Sequence, residues 1–86
     1  MLEVCKIKLM GTEDVKDFCN LVLKFDSDLF LCHGHYVIDA KSIMGVVSLD
    51  GTKDLSLKII EKCEDEFEKL HRLMIERGYA VRNANA

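Results

Sequence analysis

The stretch Lys41-Ser42-Ile43-Met44-Gly45-Val46-Val47-Ser48-Leu49 is the most informative part of this 86-residue chain. Ser42 is a residue type that often caps helices, and the apolar residues after it predict a short helix ending near Leu49. Strand patterns flank the stretch, at Tyr36–Asp39 on one side and at residues 55–59 on the other. The sequence therefore predicts a short helix between two strands.

Two more strands are predicted nearer the N-terminus. Residues 1–10 alternate between apolar and polar, and the side chains expected to face the core are Cys5, Ile7 and Leu9. Residues 29–32 form a short apolar run that pairs with Tyr36–Asp39 in a predicted hairpin. The connection contains Gly34, which can adopt a positive φ.

Two longer helices are predicted from apolar residues at helical spacing. Thr12 can cap the first, which has Glu13 and Asp14 in its first turn and ends near Phe25. The second ends at Gly78, a residue type favoured just after a helix. Its apolar stripe consists of Phe67, Leu70, Leu73 and Met74.

The order of these elements is β-α-β-β-α-β-α, without a linker or repeat. Every apolar stripe is buried if a four-stranded antiparallel sheet carries the three helices on one face. The predicted fold class is therefore α+β, an open-faced β-sandwich. Residues 1–86 are expected to form a single domain whose tail, from about residue 80 to residue 86, is flexible.

Composition excludes several classes of function. The net charge of −3 provides no basic surface for nucleic acid. No apolar run approaches the ~18 residues that a membrane span needs, and no export signal is visible, so a cytoplasmic location is expected. The four cysteines have no CxxC spacing, so they are expected to be buried, reduced thiols: Cys5, Cys19, Cys32 and Cys63.

The stretch from residue 41 to residue 49 resembles the serine-bearing segment of the HPr family. Proteins of this family are the small phosphocarriers of the bacterial sugar phosphotransferase system. The similarity runs without an obvious gap from about residue 18 to residue 54, and includes Lys24-Phe25-Asp26-Ser27-Asp28 at the predicted helix end. The resemblance implies the HPr-like open-faced sandwich, in agreement with the predicted order of elements.

The resemblance fails at the residue that carries the phosphoryl group. In the family this residue is a histidine near the start of the first helix, in a His-x-Arg-Pro context. Counting back from Phe25 places Gly11 at the histidine, Thr12 at the x, Glu13 at the arginine and Asp14 at the proline. Each acidic charge repels a phosphate at ~4 Å by about 1 to 4 kcal/mol. These four residues therefore form a degenerate site that we expect to carry no phosphate.

The histidines that are present are poor substitutes. His33 and His35 flank a predicted turn without an accompanying arginine, and His71 is expected to be solvated on the last helix. Cys32 with the two turn histidines could be a metal cluster, but zinc sites usually show a second ligand pair, and only Cys63 or His71 could provide it. We therefore expect no metal and no other cofactor.

Ser42 has two interpretations that both stay open. As an N-cap it contributes about 1 kcal/mol to its short helix. The resemblance implies a second role, because in many Gram-positive members a dedicated kinase phosphorylates this serine and the product acts with a catabolite-control transcription factor. A phosphate there would meet free helix N–H groups and the nearby cation of Lys41. Members without the kinase also have a serine at this position.

Two apolar surfaces are candidates for binding. Ile43, Met44 and Val47 resemble the patch through which family members bind their partners. On the strands, the residues expected to face the helices are Leu29, Leu31, Leu57 and Ile59. Those expected on the open face are Val4, Phe30, Cys32, Val37 and Ile60. This open face could support a weak two-fold homodimer, unless its residues are scattered, covered by the tail or turned inward by a bulge.

These patterns favour a non-enzymatic HPr-like binding or regulatory protein, related to the phosphoenolpyruvate-dependent sugar phosphotransferase system. The expected partners are proteins of that system or of carbon-catabolite regulation, including a serine kinase. Two alternatives stay open. The first is a phosphocarrier with a non-standard acceptor residue, and the second is a diverged structural module that keeps only the fold.

Overall fold

The computed structural model describes residues 1–42 and 55–81. Its elements are β1 (Leu2–Ile7), α1 (Gly11–Val22), β2 (Asp28–His33), β3 (Tyr36–Asp39), β4 (Leu55–Ile60) and α2 (Glu66–Glu76). The strands form one antiparallel sheet in the order β1-β4-β2-β3, which confirms the α+β class and the four-stranded sheet. The described part contains two helices rather than three, because the predicted helix that follows Ser42 lies outside it.

One hydrophobic core joins both helices to one face of the sheet. The four strand residues predicted to face the helices are all buried: Leu29, Leu31, Leu57 and Ile59. Phe18 and Val22 of α1 and Leu70 and Met74 of α2 are fully buried in the same cluster. Within the described ranges, neither helix is long and apolar enough to span a lipid bilayer.

A β-bulge interrupts the alternation of β1. Glu3 pairs with Lys58 and Cys5 pairs with Leu57, so Val4 is the extra residue between them. Val4 is consequently buried in the core, with 7% of its surface exposed. The prediction that Val4 lies on the open face is wrong, and the alternative that a residue turns inward through a bulge is confirmed at this position. Strict alternation cannot reveal an inserted residue.

The remaining core-facing predictions for the first ten residues agree with the structure. Ile7 and Leu9 are buried, and Cys5 is partly buried against the core. Helix α1 ends at Val22, earlier than the predicted end near Phe25, although the Phe25 N–H still donates to the Val22 carbonyl at 3.1 Å. The chain therefore continues one more turn beyond the helix.

All four cysteines are free thiols, as predicted. Burial, together with the charge of Glu3, raises the pKa of Cys5 to about 11. Cys19 is buried, whereas Cys63 is exposed, so the expectation that every thiol is buried is wrong. Cys63 precedes α2 in a segment dominated by charged residues, and such a segment stays at the surface.

Helix α2 ends in a Schellman motif at the predicted glycine. Gly78 has a φ of +79°, a conformation that costs glycine little. The Tyr79 N–H donates to the Met74 carbonyl at 2.9 Å, and the Gly78 N–H donates to the Ile75 carbonyl at 3.1 Å. These two bonds satisfy carbonyl groups of the last turn and direct the chain back toward the sheet.

The segment after α2 pairs with the outer edge of β1. The Lys8 N–H donates to the Tyr79 carbonyl at 2.9 Å, and the Val81 N–H donates to the Lys6 carbonyl at 2.8 Å. Ala80 forms an antiparallel bridge with Ile7. The first residues of the predicted flexible tail are thus hydrogen-bonded to the sheet, and residues 82–86 lie outside the described part.

Candidate functional site

The N-terminus of α1 is where the resemblance places the family's phosphoryl acceptor. Met10 is the N-cap residue and has an extended backbone, and Gly11 follows with a φ of +76°. This left-handed conformation lets the chain turn into the helix before Thr12. Thr12 therefore lies in the first turn, and the prediction that it caps the helix is wrong.

Asp14 accepts a backbone N–H that could otherwise bind an anion at this end of α1. Its Oδ2 accepts the backbone N–H of Met10 at 2.8 Å, whereas the Met10 side chain makes no capping bond. Glu13 is exposed beside it. A helix N-terminus attracts phosphate through free N–H groups and its positive dipole. Here one donor is bound to the protein's own carboxylate, and two acidic side chains oppose any added negative charge.

The sheet brings His33 to the same end of the molecule as this site. Strands β1 and β2 are both antiparallel to β4 and therefore run in the same direction. Their last residues, Ile7 and His33, consequently lie at the same end of the sheet. One strand separates them, which corresponds to about 10 Å between β1 and β2. His33 is half-buried, and His35 is exposed in the turn where Gly34 has a φ of +59°. His71, the third histidine, is exposed on α2.

A cluster that the sequence did not indicate joins α1 to the chain after α2. Asp17 accepts hydrogen bonds from Arg77 Nη1 at 2.9 and 3.1 Å and from the Tyr79 hydroxyl at 2.6 Å. Burial, with the hydrogen bond to Asp17, raises the pKa of Tyr79 above its usual value. The arginine that reaches α1 is therefore already paired with a carboxylate. No local pattern signals this contact, because the partners are 60 or more residues apart.

A second long-range cluster is built on Glu66, the first residue of α2. Its carboxylate accepts the Asp26 N–H at 3.1 Å, the Ser27 N–H at 2.8 Å and the Ser27 hydroxyl at 2.5 Å. The Ser27 oxygen in turn accepts the Lys62 N–H at 2.9 Å. Burial favours the neutral acid, but hydrogen bonds from Ser27 and Asp26, with the charge of Lys41, outweigh it and hold the pKa of Glu66 below its usual value.

This Glu66 cluster also contains the group in the described ranges that most resembles a metal site. Asp26, Cys63 and Glu66 place one oxygen or sulfur atom each within 4.8 Å of one another. Both Glu66 oxygens, however, already accept hydrogen bonds, and the Cys63 thiol donates to Asp26 Oδ2 at 3.6 Å. Desolvation and neighbouring acidic groups raise the pKa of Cys63, so the thiolate that would bind a metal is disfavoured.

Ser42 is exposed and lies at the end of a well-defined turn. Its N–H donates to the Asp39 carbonyl at 3.0 Å, and the Lys41 N–H donates to Asp39 Oδ1 at 2.9 Å. The ammonium of Lys41 donates to the Phe25 carbonyl at 2.6 Å. The hydroxyl of Ser42 is therefore accessible, whereas the cation expected to assist a phosphate is bound to the chain that follows α1.

The two predicted binding surfaces differ in how far the structure describes them. Ile43, Met44 and Val47 lie outside the described residues, so that patch stays a prediction. The open sheet face displays four of its five predicted members: Phe30, Cys32, Val37 and Ile60. Charged residues interrupt this face, because Phe30 lies between Asp39 of β3 and Lys58 of β4. The apolar area is consequently less continuous than predicted.

Comparison with known proteins agrees with this architecture. Residues 14–75, more than two thirds of the chain, match the family model PTS-HPr, "PTS HPr component phosphorylation site". The match begins after Gly11, Thr12 and Glu13. A search of curated proteins by sequence found no match.

A similar solved structure is the crystal structure of HPr-C-His from Thermoanaerobacter tengcongensis. It is 25% identical, has a TM-score of 0.66, and the likeness covers 87% of this chain and 86% of that one. The sheet order, the two described helices and the family match lead to one conclusion: this chain belongs to the HPr family of the phosphotransferase system.

Proposed function

We propose that the chain is a non-enzymatic binding or regulatory member of the HPr family that does not carry phosphate on histidine. The observation that carries this proposal is the N-terminus of α1, where Gly11 supplies no nucleophile and Asp14 accepts the Met10 N–H. The fold that presents a surface to partner proteins is kept, while the chemistry of the carrier site is absent from its usual place. The proposed location is the cytoplasm, and the proposed partners are proteins of the phosphotransferase system or of carbon-catabolite regulation.

Phosphoenolpyruvate and the first enzyme of a phosphotransferase system are expected to leave this protein unphosphorylated. The physical reason is the missing imidazole together with the negative charge of Glu13 and Asp14 at the helix N-terminus. The measurement is intact mass at neutral pH, beside an HPr that has the histidine as a positive control. Glu13→Gln with Asp14→Asn is the matched variant, because it removes the repulsion without supplying an acceptor. It should also stay unphosphorylated.

The alternative of a non-standard acceptor makes the opposite prediction in the same experiment. The observation that favours it is the position of His33 at the same end of the sheet as the α1 N-terminus. An acid-labile phosphate that disappears in His33→Ala or His35→Ala would establish this alternative and refute the non-carrier proposal.

Ser42 is the proposed regulatory phosphosite. If a cognate HPr serine kinase exists, it should modify the wild type fully and Ser42→Ala not at all, because Ser42 is exposed and lies in the Lys-Ser-Ile-Met-Gly context. Ser56→Ala on β4 and Ser48→Ala are the matched controls and should be modified like the wild type, and Ser27 is inaccessible because it is fully buried. Mass spectrometry of the phosphorylated peptide gives the answer. Labelling that persists in Ser42→Ala would refute the assignment.

The proposed binding surface for partners is the patch of Ile43, Met44 and Val47 next to that serine. The support is its resemblance to the patch that other family members use, and the exposure of Ser42 where the patch begins. A phosphate at Ser42 would add about −1.5 to −2 charges beside apolar side chains, which changes the partners that this surface can accept. A regulatory module needs such a surface, whereas a carrier histidine is not required for it.

A further inference from the structure

The two edge strands of the sheet, β1 and β3, differ in whether another segment pairs with them. Residues 79–81 cover the C-terminal part of the edge formed by β1, through the two backbone hydrogen bonds that make the bridge between Ile7 and Ala80. The opposite edge is β3, and the described ranges contain no strand beyond it. An open strand edge presents unpaired N–H and C=O groups that can pair with another chain. Within the described ranges, the β3 edge is therefore a position at which this sheet can be extended.

The side chains of β3 protect this edge only at Asp39, the one charged residue of the strand. Tyr36 is 68% exposed, the largest fraction among the large apolar residues of the described part, and Val37 is 56% exposed. The strand Tyr36–Asp39 contains no lysine and no proline, the two residue types that commonly prevent edge-to-edge pairing. Its short length of four residues limits any contact to a small one.

The outward-pointing backbone groups of β3 are centred on Val37. A two-residue turn connects β2 to β3, so the closing pair His33 and Tyr36 exchanges hydrogen bonds and the pairs then alternate. The Ala40 N–H, which points to the Leu29 carbonyl at 2.9 Å, confirms this phase. The N–H and C=O of Val37 consequently face the outer edge of the sheet.

We infer that β3 pairs with β3 of a second copy of this chain, antiparallel and about a two-fold axis at Val37. In this register, the Val37 N–H donates to the C=O of the partner's Val37, and the Val37 C=O accepts the N–H of the partner's Val37. Tyr36 lies opposite the partner's Ile38, an aromatic and β-branched pair of the kind that stabilises sheets. His35 lies beside the partner's Asp39, so a basic residue meets an acidic one at both ends of the contact. The strand is thus complementary to itself, and the product is a continuous eight-stranded sheet.

This edge contact is distinct from a dimer formed through the open face. Face-to-face association would have to bury Asp39 and Lys58 beside Phe30, whereas the edge contact leaves these charges in water. It is also independent of the proposed regulatory role, because β3 contains neither the α1 N-terminus nor Ser42. Because the interface is small, we expect a dissociation constant on the order of 0.1 mM to 1 mM.

The test is sedimentation of the reduced 86-residue chain up to about 1 mM, where a contact of this size should populate dimers. Val37→Lys should weaken association at least about 10-fold, because it places two ammonium groups at the axis. Ile60→Lys and Phe30→Lys are the matched controls, because they add the same charge to strands inside the sheet and should leave the edge contact unchanged. His35→Glu should weaken association by about 2- to 30-fold, since the altered pair occurs twice.

Amide hydrogen exchange of the wild type is a second measurement of the same contact and needs no variant. The Val37 amide should become more protected as concentration rises, whereas the Tyr36 amide, bonded within the hairpin, should not change. A chain that stays monomeric throughout this range would overturn the inference. It would also be overturned if Phe30→Lys or Ile60→Lys abolished association while His35→Glu left it intact, since the contact would then be the open face.

Discussion

Replacing Glu66 with alanine is expected to lower the free energy of unfolding by about 3 kcal/mol, because three hydrogen-bond donors lose an ionised acceptor. These donors are the Asp26 N–H, the Ser27 N–H and the Ser27 hydroxyl, and Ser27 is fully buried. The loss would release the connection between α1 and β2 from the start of α2. Urea denaturation at neutral pH measures it. Glu68→Ala, an exposed acidic residue in the same turn of α2, is the matched control and should change stability little.

The same carboxylate should also make stability depend on pH in the acidic range. The pKa of Glu66 is lower in the folded protein than its usual value of 4.5, so its contribution is fully present above that value. The contribution is lost as pH falls through the lower, folded-state pKa. Glu66→Gln should remove this part of the acid sensitivity, whereas Glu68→Gln should not. An acid unfolding profile unchanged in Glu66→Gln would contradict the assignment.

The second large effect is expected at Asp17, which connects α1 to the chain after α2. Asp17→Ala should lower the free energy of unfolding by about 2 kcal/mol, mainly because it leaves the Tyr79 hydroxyl without its acceptor at the edge of the core. Tyr79 is buried, and its bond to Asp17 is 2.6 Å long. Equilibrium unfolding monitored by circular dichroism gives the difference.

Arg77→Ala separates the two partners of Asp17. It removes only the ion pair, whose side chains are 47% and 36% exposed, and should cost less than about 1 kcal/mol. Tyr79→Phe should reproduce part of the Asp17→Ala effect, because it removes the hydroxyl without changing the ring. If Arg77→Ala were as costly as Asp17→Ala, the tyrosine bond would not be the main contribution.

At the N-terminus of α1, the sequence identifies the residues and the structure identifies their contacts. Counting along the chain placed Gly11, Glu13 and Asp14 at the family's carrier motif, and these residues do lie at the start of α1. The structure adds the Met10 N–H to Asp14 bond, which no residue pattern predicts because it depends on the backbone turn at Gly11. It also shows that His33 lies at the same end of the sheet as the N-terminus of α1, which follows from strand order rather than from spacing along the chain.

The sequence alone was sufficient wherever a feature depends on neighbours within a few residues. Local periodicity predicted that Leu29 and Leu31 face the core, and it predicted the bounds of β3. Backbone preference predicted the turn at Gly34 and the helix end at Gly78. These signals are reliable because burial of one face repeats every second residue in a strand, and because a left-handed backbone favours glycine.

Only the tertiary structure decided the features that join distant parts of the chain. Val4 enters the core because β1 must fit the register of β4 around a bulge. Glu66 reaches Ser27 across 39 residues, and Asp17 reaches Tyr79 across 62 residues, once α2 has packed on the sheet. Such polar contacts have no periodic signature, because the partner of a buried donor or acceptor is selected by packing geometry and by the cost of leaving it unpaired.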